Sequence, residues 1–228
     1  MSWFSDFASL IYPRVCVACG NNLFKHEEPV CNLCFTTLPK TNFHLDADNP
    51  VNKIFYGRAD VKMASGFLLF QKKGGVQKML HALKYGSKPE IGVLLGKWYG
   101  ADLKKSGVYT QCDYIIPVPL HKNRERKRGY NQSEHFANGL SQELDIPVLS
   151  NVLFKKHFTE TQTYKTREER WQNTMHSFEL KTPELLVGKS ILLVDDVITT
   201  GATTEACVIQ LQQATNAPVF VASIAYTQ

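Results

Sequence analysis

From about residue 46 onward, apolar positions in the chain switch repeatedly between two periods. Strand-like runs stand at 63–70 (MASGFLLF), 113–118 (DYIIPV), 148–154, 191–194 (ILLV) and 219–225 (VFVASIA). Between them the apolar residues recur at helical spacing: Val76, Met79, Leu80 and Leu83, then Ile91, Leu94, Leu95 and Trp98, then Phe136, Ala137, Leu140 and Leu144. Strands alternating with helices predict an α/β domain whose largely parallel central sheet is flanked by helices. Such sheets bind ligands in the crevice at the carboxyl ends of their strands.

The first 45 residues read differently. Trp3, Phe4, Phe7, Leu10 and Ile11 form a helical apolar stripe. A membrane-surface helix would carry lysines on its polar face, and this one has none, so a short helix packed on the main domain is expected. Cys16-x-x-Cys19 follows, then eleven residues, then Cys31-x-x-Cys34. Two CxxC knuckles suit tetrahedral zinc, because each folds two sulfurs onto one face of a tight turn. A redox pair and four unrelated buried cysteines are the rival readings. Metal binding would supply most of the folding energy of so small a module. His26 is expected at the surface rather than among the ligands, and Cys112 and Cys207 as small core residues. The chain is thus expected to divide into 1–45, a short helix with a zinc ribbon, and 46–228, the α/β domain. The polar stretch 155–177 lacks core periodicity; a linker is one reading, but its place between two strands suits a mobile active-site loop better.

Composition narrows the class. Of the 228 residues 43% are hydrophobic and 21% charged, which excludes disordered and fibrous chains. No apolar run approaches the ~18 residues that cross a bilayer. The opening MSWFSDFASLIYP has no basic region and carries Asp6, so no secretory signal is expected and the cytoplasm is. The excess of 26 Lys and Arg over 21 Asp and Glu is +5. Within 121–128 (HKNRERKR), Lys122, Arg124, Arg126, Lys127 and Arg128 stand against Glu125 alone, so +4 of that charge sits in eight residues. Lys122, Arg124, Arg126 and Lys127 are candidates for a nucleic-acid phosphate backbone; a solvated charge run is the alternative.

The segment 191–207 (ILLVDDVITTGATTEAC) carries the most chemistry. An apolar strand ends in Asp195 and Asp196, and Thr199, Thr200, Gly201, Ala202 and Thr203 lead into a helix. Backbone N–H groups, threonine hydroxyls and a helix N-terminus make a phosphate cradle, with Gly201 allowing close approach. Two carboxylates beside it need another partner, either sugar hydroxyls or a magnesium ion held by the substrate. Downstream of the basic run, Asn131 and Glu134 form a candidate capping box for the next helix, with Arg128 just ahead of its N-terminus. Lys84 and Tyr85 close an earlier helix, with Gly86 expected at C′. Lys84 can either complement that helix's C-terminus or reach a diphosphate.

LLVDDVITTGATT resembles the phosphoribosyl pyrophosphate loop of the type I phosphoribosyltransferases. PVPLHKNRERKRGYNQSEHFA (117–137) and HALKYGSKPEIGVLLG (81–96) resemble segments of the ComF competence family. Thr161, Gln162 and Thr163, then Arg167, Arg170 and Asn173, are similar to that family's pattern in the mobile loop. The resemblance implies that Asp195 and Asp196 hold the ribose hydroxyls as catalytic residues, and that Thr199 to Thr203 hold the 5′-phosphate. It further implies that Lys84, Tyr85 and Arg128 contact the ligand, with magnesium accompanying it and structural zinc on the four cysteines. One departure is that the mobile loop shows no counterpart of the lysine-rich catalytic loop of orotate-type enzymes, which bears on turnover rather than on ligand binding. The implied role is phosphoribosyl pyrophosphate binding in natural transformation, handling incoming single-stranded DNA with DNA-uptake proteins. Active phosphoribosyl transfer to a nitrogen acceptor, with pyrophosphate release, is the alternative. A sensor of phosphoribosyl pyrophosphate without a competence role is a third reading.

Overall fold

Buried on both faces, the central strands read as unbroken apolar runs because neither side meets water. The computed structural model describes residues 13–27, 29–155 and 177–228. The stripe Trp3–Ile11 and the residues Thr161, Gln162, Thr163, Arg167, Arg170 and Asn173 lie outside the described residues. In chain order the elements begin with α1 (Asn32–Thr37), α2 (Pro50–Lys53), β1 (Val61–Leu69), α3 (Gly75–Tyr85), α4 (Glu90–Ser106) and β2 (Tyr114–Pro117). There follow α5 (Lys122–Arg128), α6 (Gln132–Leu144), β3 (Leu153–Lys155), β4 (Phe178–Leu180), β5 (Ile191–Ile198), α7 (Ala202–Thr215) and β6 (Val219–Tyr226).

The main sheet runs β1-β6-β5-β2, with each neighbouring pair parallel. Its side chains sort by the period of two that strands impose. Leu192, Val194, Phe220, Ala222 and Ile224 pack with α3, α4 and α6. Ile191, Leu193, Val219 and Val221 pack on the other face with α7 residues Val208 and Leu211. The expected α/β architecture is therefore present.

The run 148–154 is not one strand. Val148 makes a single parallel bridge to Ile115 at the sheet edge, and β3 pairs antiparallel with β4 in a separate two-stranded sheet. Ser150 and Asn151 break the run, since both favour turns over ladder pairing.

Helices α4 and α6 approach closely enough that only glycine fits at the crossing. A Cβ on Gly96 would lie 2.3 Å from the Phe136 carbonyl oxygen, and one on Gly139 would lie 2.1 Å from that of Val93. The cysteine module joins the same core: Cys16, Ala18, Val30 and Cys31 are buried with residues of α3 and α4. Phe35 packs on Trp98, ring centroids 4.4 Å apart, and Lys40 pairs with Asp102 at 3.1 Å. Cys112 and Cys207 are buried core thiols, as expected. Burial pushes the Cys112 thiol up to about 12 and Cys207 well above its ordinary range, so neither is a ready nucleophile.

Candidate functional site

Strand β5 does not stop before its carboxylates but continues through them, with Asp195 opposite Ser223 in the ladder. Alternation sends Asp196 toward the α3 side, where its Oδ2 meets Lys84 Nζ at 2.8 Å. Asp195 faces the starts of two helices. Ser133 Oγ of α6 donates to its Oδ1 at 3.3 Å, and Thr204 Oγ1 of α7 donates to its Oδ2 at 3.4 Å. The Asp196 backbone N–H adds a third donor at 2.8 Å. Burial, then the neighbouring Asp196 charge, push the Asp195 carboxyl up to about 7, against the lowering pull of the Asp196 N–H, of Lys84 and of the Ser133 hydroxyl.

The turn after β5 is shaped by Gly201, the N-cap of α7, at φ 73°. Only glycine fits: a Cβ there would lie 2.5 Å from Ile54 Cγ2. The first-turn N–H groups of α7 have no partner within the helix and carry its positive end. Thr199, Thr200 and Thr203 are exposed, and Ala202 is half-buried. Arg58, which the sequence reading missed, braces this turn from behind. Its Nη1 donates to the Thr200 carbonyl at 3.1 Å and its Nη2 pairs with the buried Glu205 carboxylate.

The basic run 122–128 is itself a helix, α5, capped by the His121 ring and closed by Gly129 at φ 85°. It leans over the carboxylates and encloses a crevice of about 190 Å³. Asp195, Asp196 and Thr203 line that crevice together with Lys84, Arg124, Arg128 and Lys155. Four cations thus face two adjacent carboxyl groups there. A second, outer cavity of about 420 Å³ is lined by Lys84, Tyr85, Ser87, Arg124, Lys127 and Arg128. Arg128 sits 5.1 Å over the Tyr85 ring and donates to Gln132 Oε1 at 2.7 Å.

The expected site residues are thus partly gathered. Asp195, Asp196, Thr203, Lys84 and Arg128 converge in the crevice, while Tyr85 lines only the outer cavity. Thr199, Thr200, Gly201 and Ala202 form the adjoining turn but line neither cavity. The basic set divides: Arg124 and Lys127 face the cavities, and Lys122 and Arg126 do not. Lys155 was missed because a lysine closing a strand-like run carries no distinguishing signal. Asn131 caps α6 as expected, accepting from Ser133 N at 3.1 Å. Gly86 differs from expectation. Its φ is −99°, and the positive φ falls on Ser87; glycine is needed at 86 because a Cβ would meet the Ala82 carbonyl oxygen at 2.8 Å.

At the other end of the chain, the sulfurs of Cys16, Cys19, Cys31 and Cys34 lie within 4.8 Å of one another. Backbone N–H groups point at three of them: Cys31 N to Cys16 Sγ at 3.3 Å, Asn21 N to Cys19 Sγ and Cys34 N to Cys31 Sγ, both at 3.4 Å. Such donors stabilise thiolates, so the set fits a metal ion. His26 is exposed and stands outside the cluster, as expected. Among the described residues no helix is long and apolar enough to cross a membrane.

No family model matches the chain. It is similar to competence protein F of Haemophilus influenzae, 39% identical over 103 residues, a match covering 45% of each chain. It is similar over a longer span to the DNA utilization protein YhgH of Shigella flexneri, 27% identical over 209 residues, covering 85% of this chain and 88% of that one. Among solved structures, it is similar to the glutamine phosphoribosylpyrophosphate amidotransferase of B. subtilis at TM-score 0.45 and 20% identity, over 63% of this chain and 30% of that one.

Proposed function

We propose that the crevice at the ends of β5 and β2 binds phosphoribosyl pyrophosphate, and that the protein uses this site while handling incoming single-stranded DNA in natural transformation. The observation that carries this reading is the crevice itself. Two adjacent carboxylates, four cations and the N-terminal end of α7 converge on about 190 Å³. Carboxylates repel phosphate but accept from sugar hydroxyls, while the cations and helix amides complement phosphates. A phosphorylated sugar bearing a diphosphate satisfies both halves at once. In this assignment Asp195 and Asp196 hold the ribose hydroxyls, the turn Thr199–Thr203 holds the 5′-phosphate, and Lys84 and Arg128 face the diphosphate.

Magnesium would arrive on the ligand's diphosphate oxygens and neutralise part of their charge. The carboxylates fit such a hard cation, although Asp195 already takes three hydrogen bonds. The four cysteines would hold zinc, whose tetrahedral thiolate set matches their clustering. We assign residues 1–45 to this metal module and 46–228 to the phosphoribosyl domain. The names of the relatives, competence protein F and DNA utilization protein, support the DNA role. We place its work in the cytoplasm, where zinc-binding thiols stay reduced. The exposed α5 supplies Lys122, Arg124, Arg126 and Lys127 as the nucleic-acid contacts, with DNA-uptake proteins as partners.

Titration calorimetry with phosphoribosyl pyrophosphate, with and without magnesium, tests the crevice. Magnesium-dependent heat that weakens in Asp195→Asn/Asp196→Asn supports the assignment, and none for the wild type overturns it. Pyrophosphate release across a panel of nucleobases and amines separates binding from active phosphoribosyl transfer.

A further inference from the structure

The two cavities under α5 share Lys84, Arg124 and Arg128. The outer one, at about 420 Å³, is within the range of ~300–1,000 Å³ typical of ligand sites. None of its six lining residues is acidic, and four are cations. It also offers a flat apolar surface: Tyr85 is 63% exposed, with Arg128 over its ring and His81 5.0 Å from it. Cations tracking phosphates beside an exposed aromatic ring are what single-strand binding sites combine. The inner crevice differs in kind, because its carboxylates select for hydroxyls.

We propose that the outer cavity seats a phosphate and a stacked base of single-stranded DNA, and that phosphoribosyl pyrophosphate in the crevice excludes the strand. The inference rests on the functional reading above and goes beyond it by naming the strand's site and its coupling to the small ligand. The reason is electrostatic. A diphosphate held by Lys84, Arg124 and Arg128 places negative charge where the strand's phosphate must lie, and it occupies donors the strand would use. Competition between two polyanions for shared cations needs no conformational change. It is reciprocal, so strand binding lowers the affinity for the small ligand by the same factor.

Fluorescence anisotropy of a labelled oligodeoxythymidylate at low salt tests this. Adding magnesium phosphoribosyl pyrophosphate should release the strand at concentrations that track its own calorimetric affinity. Sodium chloride at matched ionic strength should not. Tyr85→Ala should weaken strand binding roughly 5- to 100-fold, the range for losing one stacked base. Lys127→Ala, which touches only the outer cavity, should weaken the strand several-fold and leave affinity for the small ligand unchanged. Unchanged anisotropy at saturating phosphoribosyl pyrophosphate would overturn the exclusion while leaving both sites standing. No strand binding even at low salt would overturn the nucleic-acid assignment, and absence of calorimetric heat would overturn the crevice assignment.

Discussion

Lys84 Nζ stands 2.8 Å from Asp196 Oδ2, so the last turn of α3 supplies the counter-ion for a carboxylate on β5. The pair is only partly exposed, with side-chain accessibilities of 23% and 18%. In the absence of ligand the lysine keeps two adjacent carboxylates from facing each other uncompensated. If the crevice takes a diphosphate as proposed, the same ammonium is placed to turn to it and free Asp196 for a sugar hydroxyl. Lys84→Gln should therefore weaken phosphoribosyl pyrophosphate binding by about tenfold or more, as loss of a charged hydrogen bond costs about 1.5–3 kcal/mol. Calorimetry reads the affinity, and a melt should show a smaller change than the binding does.

The Asp195 carboxyl titrates far above its ordinary range because the fold desolvates it and sets Asp196 beside it. Below its unfolded value, 3.8, both states hold the proton and the group leaves stability unaffected. As pH rises from 3.8 to about 7, the unfolded chain releases the proton while the native state keeps it, so stability falls across that window. Urea midpoints for wild type should decline between pH 5 and pH 7. Asp195→Asn should flatten that decline, and an equal slope in the variant would remove Asp195 as its source.

Arg58 ties the turn before α7 to the segment before β1. It donates from Nη1 to the carbonyls of Thr200 and Ile54, both at 3.1 Å, while pairing with buried Glu205. Arg58→Ala leaves Glu205 without its partner and should cost about 1–3 kcal/mol. The double variant Arg58→Met/Glu205→Met should cost less than the sum of the single changes, a coupling that a double-mutant cycle measures. If the turn binds phosphate, Arg58→Lys should retain more ligand affinity than Arg58→Ala, because one donor survives.

If the four thiols hold zinc as proposed, removing it should loosen more than the amino-terminal module, because Cys16 and Cys31 belong to the core that contains α3 and α4. Cys16→Ser, or treatment with a chelator, should lower zinc content by elemental analysis and lower Tm together. Full zinc retention in a variant lacking all four thiols would reject these ligands.

Gly96→Ala sets helix propensity against packing. On an isolated helix the change would stabilise by about 1 kcal/mol. Here the new methyl would meet the Phe136 carbonyl oxygen at 2.3 Å, so α4 and α6 must separate. Net destabilisation of about 1–3 kcal/mol is expected by chemical denaturation.

Much of this architecture is legible along the chain because it is local. The period of Val76, Met79, Leu80 and Leu83 marks α3, the run ILLV marks β5, and each CxxC spacing marks a two-sulfur knuckle. Each depends on residues within a few positions of one another, where backbone geometry alone decides which side chains share a face. The turn Thr199–Thr203 is readable for the same reason. Tertiary structure decided what those pieces meet. Arg58 and Thr200 are 142 positions apart, and no pattern in either segment announces their hydrogen bond. The sequence presents HKNRERKR as one basic run, but helical winding turns Arg124, Lys127 and Arg128 to the cavities and leaves Lys122 and Arg126 outside them. Lys155 enters the crevice because β3 leaves the main sheet to pair with β4, and Lys84 because α3 packs beside β5. A charge's partner depends on distance through space, which packing sets, whereas periodicity reports only the direction in which a side chain leaves its own backbone.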